Sequence, residues 1–116
     1  MDLIDTHTHL YLEAFDKDRN QVIERALSVG VNHFFIPSIS SKYFKRMLDL
    51  KQQYSKKIHL MAGLHPCYVK EDFDEELNFV SELLKSRNFC AIGEIGIDLY
   101  WDKSFLKQQQ DCLLYT

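Results

Sequence analysis

Near the start of the chain, Asp5-Thr6-His7-Thr8-His9 has residue types and a spacing suited to holding a metal ion. Leu3 and Ile4, just before, read as a short apolar strand. Side chains of a strand alternate between faces, so a strand continued through His9 would turn Asp5, His7 and His9 the same way. Two neutral imidazoles one strand-step apart can hold a divalent cation, and a carboxylate can orient one of the ligands. Asp5 is the candidate for that orienting role. A polar strand end with two solvated histidines would look the same, so the decision rests on the rest of the chain. Two further candidates stand in glycine-rich settings: His65 in Gly63-Leu64-His65-Pro66, and Glu94 in Gly93-Glu94-Ile95-Gly96-Ile97-Asp98. Glycines around a glutamate leave open backbone, and with it room for a metal or substrate to approach.

The elements that must position these residues alternate along the chain. Leu10 to Phe15 reads as a loop. Asp16 or Asp18 can cap a helix with Val22, Ile23, Ala26 and Leu27 on one face, ended by Gly30. Val31 to Ile36 reads as a strand closed by Pro37. Ser40 or Ser41 starts a second helix, with Phe44, Met47, Leu48 and Lys51 along one stripe. Ile58 to Ala62 is a third strand, and a third helix runs from about Asp74 to Lys85 with Leu77, Val80, Leu83 and Leu84 inward. Phe89 to Ile92 is the fourth strand, and a fourth helix starts near Lys103. Four alternations with short connections argue for parallel strands joined by right-handed crossovers.

Two α/β architectures fit: a doubly wound open sheet, or the first four βα units of a TIM-like (β/α)8 barrel. No glycine-rich turn follows the first strand, which weakens a dinucleotide-binding fold. A whole barrel needs roughly 250 residues, so the 116 residues here are expected to be half of one, with residues 1–116 as a single unit. In both architectures the site lies at the C-terminal ends of the strands. His7 and His9 follow the first strand, His65 the third and Glu94 the fourth. Met61, Gly63 and His65 would share one face of the third strand, as would Ile92 and Glu94 on the fourth. His33 and His59 lie near the opposite ends of their strands and read as structural. Cys90 reads as core, Cys112 lies on the last helix, and Cys67 lacks a base that would make it a nucleophile. Leu99-Tyr100-Trp101 reads as packing, or beside a site as a surface to stack on a base or sugar.

Bulk composition narrows the classes. With 46% hydrophobic and 27% charged residues the chain has the make-up of an ordinary globular protein. No apolar run approaches a membrane span, and Asp2 argues against a basic-then-apolar leader. Three irregularly spaced cysteines without a CxxC pair suggest reduced thiols and a cytoplasmic location. A net charge of −3 excludes a broadly basic nucleic-acid surface, so any phosphate must be gripped locally.

Ile4-Asp5-Thr6-His7-Thr8-His9, Gly63-Leu64-His65-Pro66 and Gly93-Glu94-Ile95-Gly96-Ile97-Asp98-Leu99-Tyr100 together resemble the N-terminal part of a TatD-family metal-dependent hydrolase of the amidohydrolase superfamily. The resemblance covers essentially the whole chain. It implies a TIM-like barrel that binds one or two divalent ions (Mg, Mn or Zn) and cleaves phosphodiesters, as a deoxyribonuclease and in particular an exonuclease. It implies that His7, His9 and Glu94 are metal ligands, with Glu94 the catalytic bridging carboxylate, and that His65 contacts the substrate phosphate. Asp98, in the same motif as Glu94, is expected with His65 at the substrate. Family members supply two more histidines and an aspartate from later strands, which this sequence does not contain. Three outcomes follow: a DNA-cleaving hydrolase; a metal-dependent hydrolase of a small amide, lactone or ester; or a silent remnant or assembly partner. With its outer strands bare, a half barrel is expected to associate with a second copy, to pair with a C-terminal half, or to be poorly stable.

Overall fold

The computed structural model describes residues 1–86 and 88–116. Four strands, β1 (Leu3–Asp5), β2 (Val31–Ile36), β3 (Ile58–Ala62) and β4 (Ala91–Ile92), form one parallel sheet in the order β1-β2-β3-β4. Between and after them run α1 (Arg19–Ser28), α2 (Phe44–Gln53), α3 (Phe73–Lys85) and α4 (Leu106–Tyr115). The strand order separates the two architectures left open by the sequence. A doubly wound sheet reverses direction at a switch point, whereas here each strand is added on the same side as the last. With right-handed crossovers, that order places the helices on one face, as in the wall of a barrel.

β2 and β3 are the central strands and alternate most clearly. Phe34, Ile36, Ile58, Leu60 and Ala62 are buried, and the first four pack with Ile23 of α1 and with Met47 and Leu50 of α2. The outer strands are barer: Leu3, Ile4 and Ile92 are exposed at 41%, 54% and 42%. A smaller cluster of Leu64, Val69, Leu77 and Cys112 seats α3 and α4.

Local details depart from the expectations in instructive ways. Asp18 does occupy the position before α1, but its side chain makes no capping bond. Asp16 instead accepts from both Arg19 and Arg46, which draw that carboxyl below the usual carboxylate range. The buried stripe of α2 is Met47 and Leu50, continuing from Tyr43, while Leu48 is exposed: the helix is entered through a 3-10 turn at Ser41–Tyr43 that rotates its face. Ser41 is held there by Glu76 of α3, through its amide at 2.9 Å and its hydroxyl at 2.7 Å. Another 3-10 turn, Glu13–Phe15, interrupts the predicted loop. β4 is shorter than expected and Cys90 is exposed rather than core, its thiol donating to the Leu60 carbonyl oxygen. α4 begins at Leu106, since Asp102 accepts from the Ser104 amide and holds the preceding turn. Gly30 carries φ +97°, and a Cβ there would meet the Met1 carbonyl oxygen at 2.5 Å, so α1 can turn into β2 only through glycine. Among the described residues no helix is long and apolar enough to cross a membrane.

His33 and His59 pair across β2 and β3, Nδ1 to Nε2 at 2.8 Å, and His59 stacks on Phe35. Burial, His33 and Lys51 together lower the His59 pKa below its ordinary 6.5. The folded chain therefore takes up this proton later than the unfolded chain, and stability is complete above pH 6.5 and declines as pH falls through that window. Thermal melts of the intact protein between pH 7.5 and 5 should show this decline, and a smaller one for His59→Gln.

Candidate metal centre

β1 stops at Asp5, so the strand does not carry His7 and His9 as expected. Asp5 Oδ1 instead accepts from the amide of His7 at 3.1 Å, an Asx turn that bends the chain just past the strand. The Thr8 amide donates to the Phe35 carbonyl oxygen and ties the bent segment to β2. Convergence of the two imidazoles comes from this turn, not from strand alternation. Asp5 thus acts on the backbone of His7 and makes no contact with its ring in this geometry.

Beyond His9 the chain is pinned from below. Arg19 donates to the carbonyl oxygens of Leu10 (2.6 Å) and Leu12 (2.8 Å), and Arg46 to that of Tyr11 (2.7 Å). Both guanidinium groups also hold Asp16. A loop without regular hydrogen bonding is in this way given fixed partners for its carbonyls.

Glu94 arrives from the other side of the sheet. The Gly93 amide donates to the Ala62 carbonyl oxygen, the Ser38 amide to that of Gly93, and the Glu94 amide to that of Ser38, all between 2.9 and 3.0 Å. Ser38 follows β2, so the backbone after β4 reaches across the end of β3. It can do so because β3 is followed by Gly63. A Cβ on Gly63 would lie 2.6 Å from the Gly93 carbonyl carbon and 2.8 Å from the Glu94 carbonyl oxygen. The glycine that makes room is Gly63; at Gly93 a Cβ would press only on the flexible Met61 side chain.

The result is a trio of donor atoms. His7 Nε2 lies 3.2 Å from His9 Nε2 and 3.1 Å from Glu94 Oε2, and His9 Nε2 lies 3.3 Å from the same oxygen. His7, His9 and Glu94 are the residues that could hold a metal ion among those described. Ligands bound at about 2.0–2.2 Å sit about 2.8–3.1 Å from one another in octahedral array and about 3.3–3.6 Å in tetrahedral array, a range that brackets these spacings. The donor set therefore fits a divalent cation of the borderline or hard type. Burial, reinforced by His7 and His65 and opposed by Glu94, lowers the His9 pKa below 6.5 and keeps the ring in the neutral, ligating form at neutral pH.

His65 is brought to the same place but with a different hand of hydrogen bonding. Its Nδ1 accepts from the Cys67 amide at 3.0 Å, so the proton of the neutral ring is on Nε2, which points at Glu94 Oε1 at 3.2 Å. His65 thereby grips one carboxylate oxygen and leaves the other to the trio. Asp98 is not among the converging groups. Its Oδ1 accepts from the Tyr100 amide, its Oδ2 receives the Cys67 thiol at 3.4 Å, and its backbone is clamped at both N and O by the buried Gln109 side chain. The Tyr100 amide, then the thiol, hold its pKa below the ordinary carboxylate value. Burial first and Asp98 second push the Cys67 thiol up, away from nucleophilic chemistry. Two participants had no sequence signal beyond position: Tyr11, whose hydroxyl meets His9 Nδ1, and Ser38, the strap for Glu94.

Gly63→Ala should force the Gly93–Glu94 backbone aside, with a loss of about 1–3 kcal/mol in unfolding free energy and weaker Mn²⁺ or Zn²⁺ uptake. Denaturant unfolding and metal titration check the two effects.

Comparison with known proteins bears on the same residues. A family model described as "TatD related DNase" matches residues 4–116. The chain is similar to YabD of Bacillus subtilis, described as an uncharacterized metal-dependent hydrolase, at 34% identity over 88% of this chain and 40% of that protein. It is 31% identical to the 3'-5' ssDNA/RNA exonuclease TatD of Erwinia tasmaniensis over 98% of this chain and 43% of that protein. Among solved structures, the Escherichia coli TatD homolog YjjV aligns with a TM-score of 0.86 at 31% identity, covering 97% of this chain and 44% of that one. The chain thus spans about two-fifths of the length of these curated relatives, and its four parallel βα units are those of a partial TIM-like barrel.

Proposed function

Because this chain belongs to the family of TatD-related DNases, we propose that residues 1–116 form the N-terminal half of a metal-dependent barrel hydrolase that cleaves phosphodiester bonds of DNA, trimming single strands from an end. The observation that carries this reading is the His7–His9–Glu94 trio at the C-terminal ends of the outer strands. That is where barrel enzymes keep their chemistry. A relative named as an exonuclease on single-stranded DNA and RNA supports the choice of substrate. Outer-strand Leu3, Ile4 and Ile92, with Ile95 and Ile97 beyond β4, expose apolar surface that further strands of a barrel, or a second copy of this chain, would cover.

In this reading His7, His9 and Glu94 would hold a divalent ion, and Glu94 would also serve a second one where later strands supply further ligands. Mg²⁺, Mn²⁺ or Zn²⁺ bound there supplies Lewis acidity toward a phosphoryl oxygen and activates water for in-line attack. Asp5 keeps the His7 backbone in place, and His65 steadies Glu94 through Oε1 until a phosphate oxygen competes for the Nε2 proton. Asp98 serves the substrate indirectly: by accepting from the Tyr100 amide it shapes the loop that presents Tyr100 and Trp101, 81% and 80% exposed, as faces for stacked bases. A chain of net charge −3 has no other broad means of holding a polyanion, so grip at the ion and stacking at the loop share the task. A cytoplasmic setting suits its unpaired cysteines.

Digestion of 3′-labelled single-stranded DNA by the intact protein tests the proposal. Chelator should abolish activity and Mn²⁺ or Mg²⁺ restore it, while Glu94→Gln should lower kcat by about 100-fold or more. Activity that survives chelator in Glu94→Gln would overturn the reading, and turnover of esters or lactones without any nuclease activity would move the substrate to a small molecule.

A further inference from the structure

The hydroxyl of Tyr11 lies against Nδ1 of His9, the ring nitrogen that faces away from the trio. Tyr11 is 1% exposed, and its hydroxyl oxygen lies 2.8 Å from the Pro37 carbonyl oxygen and 3.1 Å from His9 Nδ1. A carbonyl oxygen can only accept, so the one hydroxyl hydrogen is committed to Pro37. What Tyr11 turns toward His9 is then a lone pair, and a hydrogen bond there requires the proton on Nδ1. A neutral imidazole with its proton on Nδ1 has a free lone pair on Nε2. That is the atom 3.2 Å from His7 Nε2 and 3.3 Å from Glu94 Oε2.

The geometry points to Tyr11 as a positioning residue: the chain Pro37 carbonyl–Tyr11 hydroxyl–His9 Nδ1 locks His9 in the Nδ1–H tautomer and so presents its Nε2 lone pair to a divalent cation. The inference rests on reading the trio as a cation site. The relay is held firmly. The Tyr11 ring packs on Tyr43 with centroids 5.7 Å apart, and its carbonyl is gripped by Arg46 at 2.7 Å. Pro37 directly precedes Ser38, whose amide and carbonyl strap Gly93 and Glu94. One turn after β2 therefore aims the hydroxyl at one ligand and anchors the backbone of another. His65 provides the contrast. With a backbone amide donating to its Nδ1, it is set in the opposite tautomer and meets Glu94 as a hydrogen-bond donor. Two histidines on the same carboxylate are thus given different duties by what touches their far nitrogens.

The test is made on the intact protein with 15N-labelled histidine, stripped of metal by chelator, at mildly alkaline pH. Wild type should show His9 with a protonated Nδ1 and an unprotonated Nε2, and His65 with the reverse. Tyr11→Phe should move His9 toward the Nε2–H form and weaken Mn²⁺ or Zn²⁺ affinity about 10- to 100-fold. Tyr43→Phe, which disturbs the same aromatic cluster without touching His9, should change neither. A wild-type His9 that is predominantly Nε2–H overturns the inference, and that measurement stands even if Tyr11→Phe does not fold. Unchanged tautomer and affinity in folded Tyr11→Phe also overturn it. Metal titration of wild type and Glu94→Gln keeps the underlying reading separate. An Nδ1–H His9 in a protein whose metal uptake ignores Glu94→Gln would uphold the tautomer lock and reject the trio as the cation site.

Discussion

Three heteroatoms, two imidazole nitrogens and a carboxylate oxygen, are held within 3.1–3.3 Å of one another, and among the described residues no lysine or arginine is paired with any of them. Two imidazole nitrogens and a carboxylate oxygen this close need protons on the nitrogens or a cation between the three atoms to offset their mutual repulsion. Much of the surrounding architecture can be understood as the scaffold that enforces this approach. The Asx turn at Asp5 bends His7 inward, the Arg19 and Arg46 guanidiniums hold the carbonyls that follow His9, and Ser38 fixes the backbone of Glu94. Each uses a backbone group as its handle, which leaves the ligand side chains free for a cation.

The three donor side chains come from opposite edges of the sheet, and this makes the site sensitive to how the central strands end. β1 and β4 are separated by β2 and β3, so His7 and Glu94 can meet only if the backbone after β4 crosses the end of β3. Gly63 is the opening that permits the crossing. A barrel wall curves naturally toward its axis at the C-terminal ends of its strands, and the glycine lets that curvature tighten at one point. The core under β2 and β3 stays rigid beneath it, with Phe34, Ile36, Ile58 and Leu60 all buried.

Hydrogen-bond polarity then divides labour among residues that look alike. His9 and His65 both face Glu94, yet one meets a hydroxyl oxygen at Nδ1 and the other a backbone amide. Glu94 likewise uses its two oxygens differently, Oε2 toward the trio and Oε1 toward His65. Asp98 lies within a loop network of Cys67, Tyr100 and Gln109, beside the trio and not part of it.

The amino-acid sequence by itself determined the alternation of strands and helices, the ranges of β2 and β3, and the placing of His7, His9, His65 and Glu94 after strands. These are consequences of local periodicity and turn chemistry, which a linear reading can follow. The family was legible for the same reason, since its motifs are contiguous. Only the tertiary structure decided what joins across the sheet. The turn that leads into α2 is held by Glu76, 35 positions beyond Ser41, and the Cys90 thiol finds its acceptor on Leu60, 30 positions back. Tyr11 looked like a loop residue because its meaning comes from a carbonyl 26 positions on. Gly63 looked like one glycine among several until the backbone of Gly93 and Glu94 came to lie where its Cβ would be. Long-range approach and hydrogen-bond direction have no local signature, and at this site they set which side-chain atoms converge.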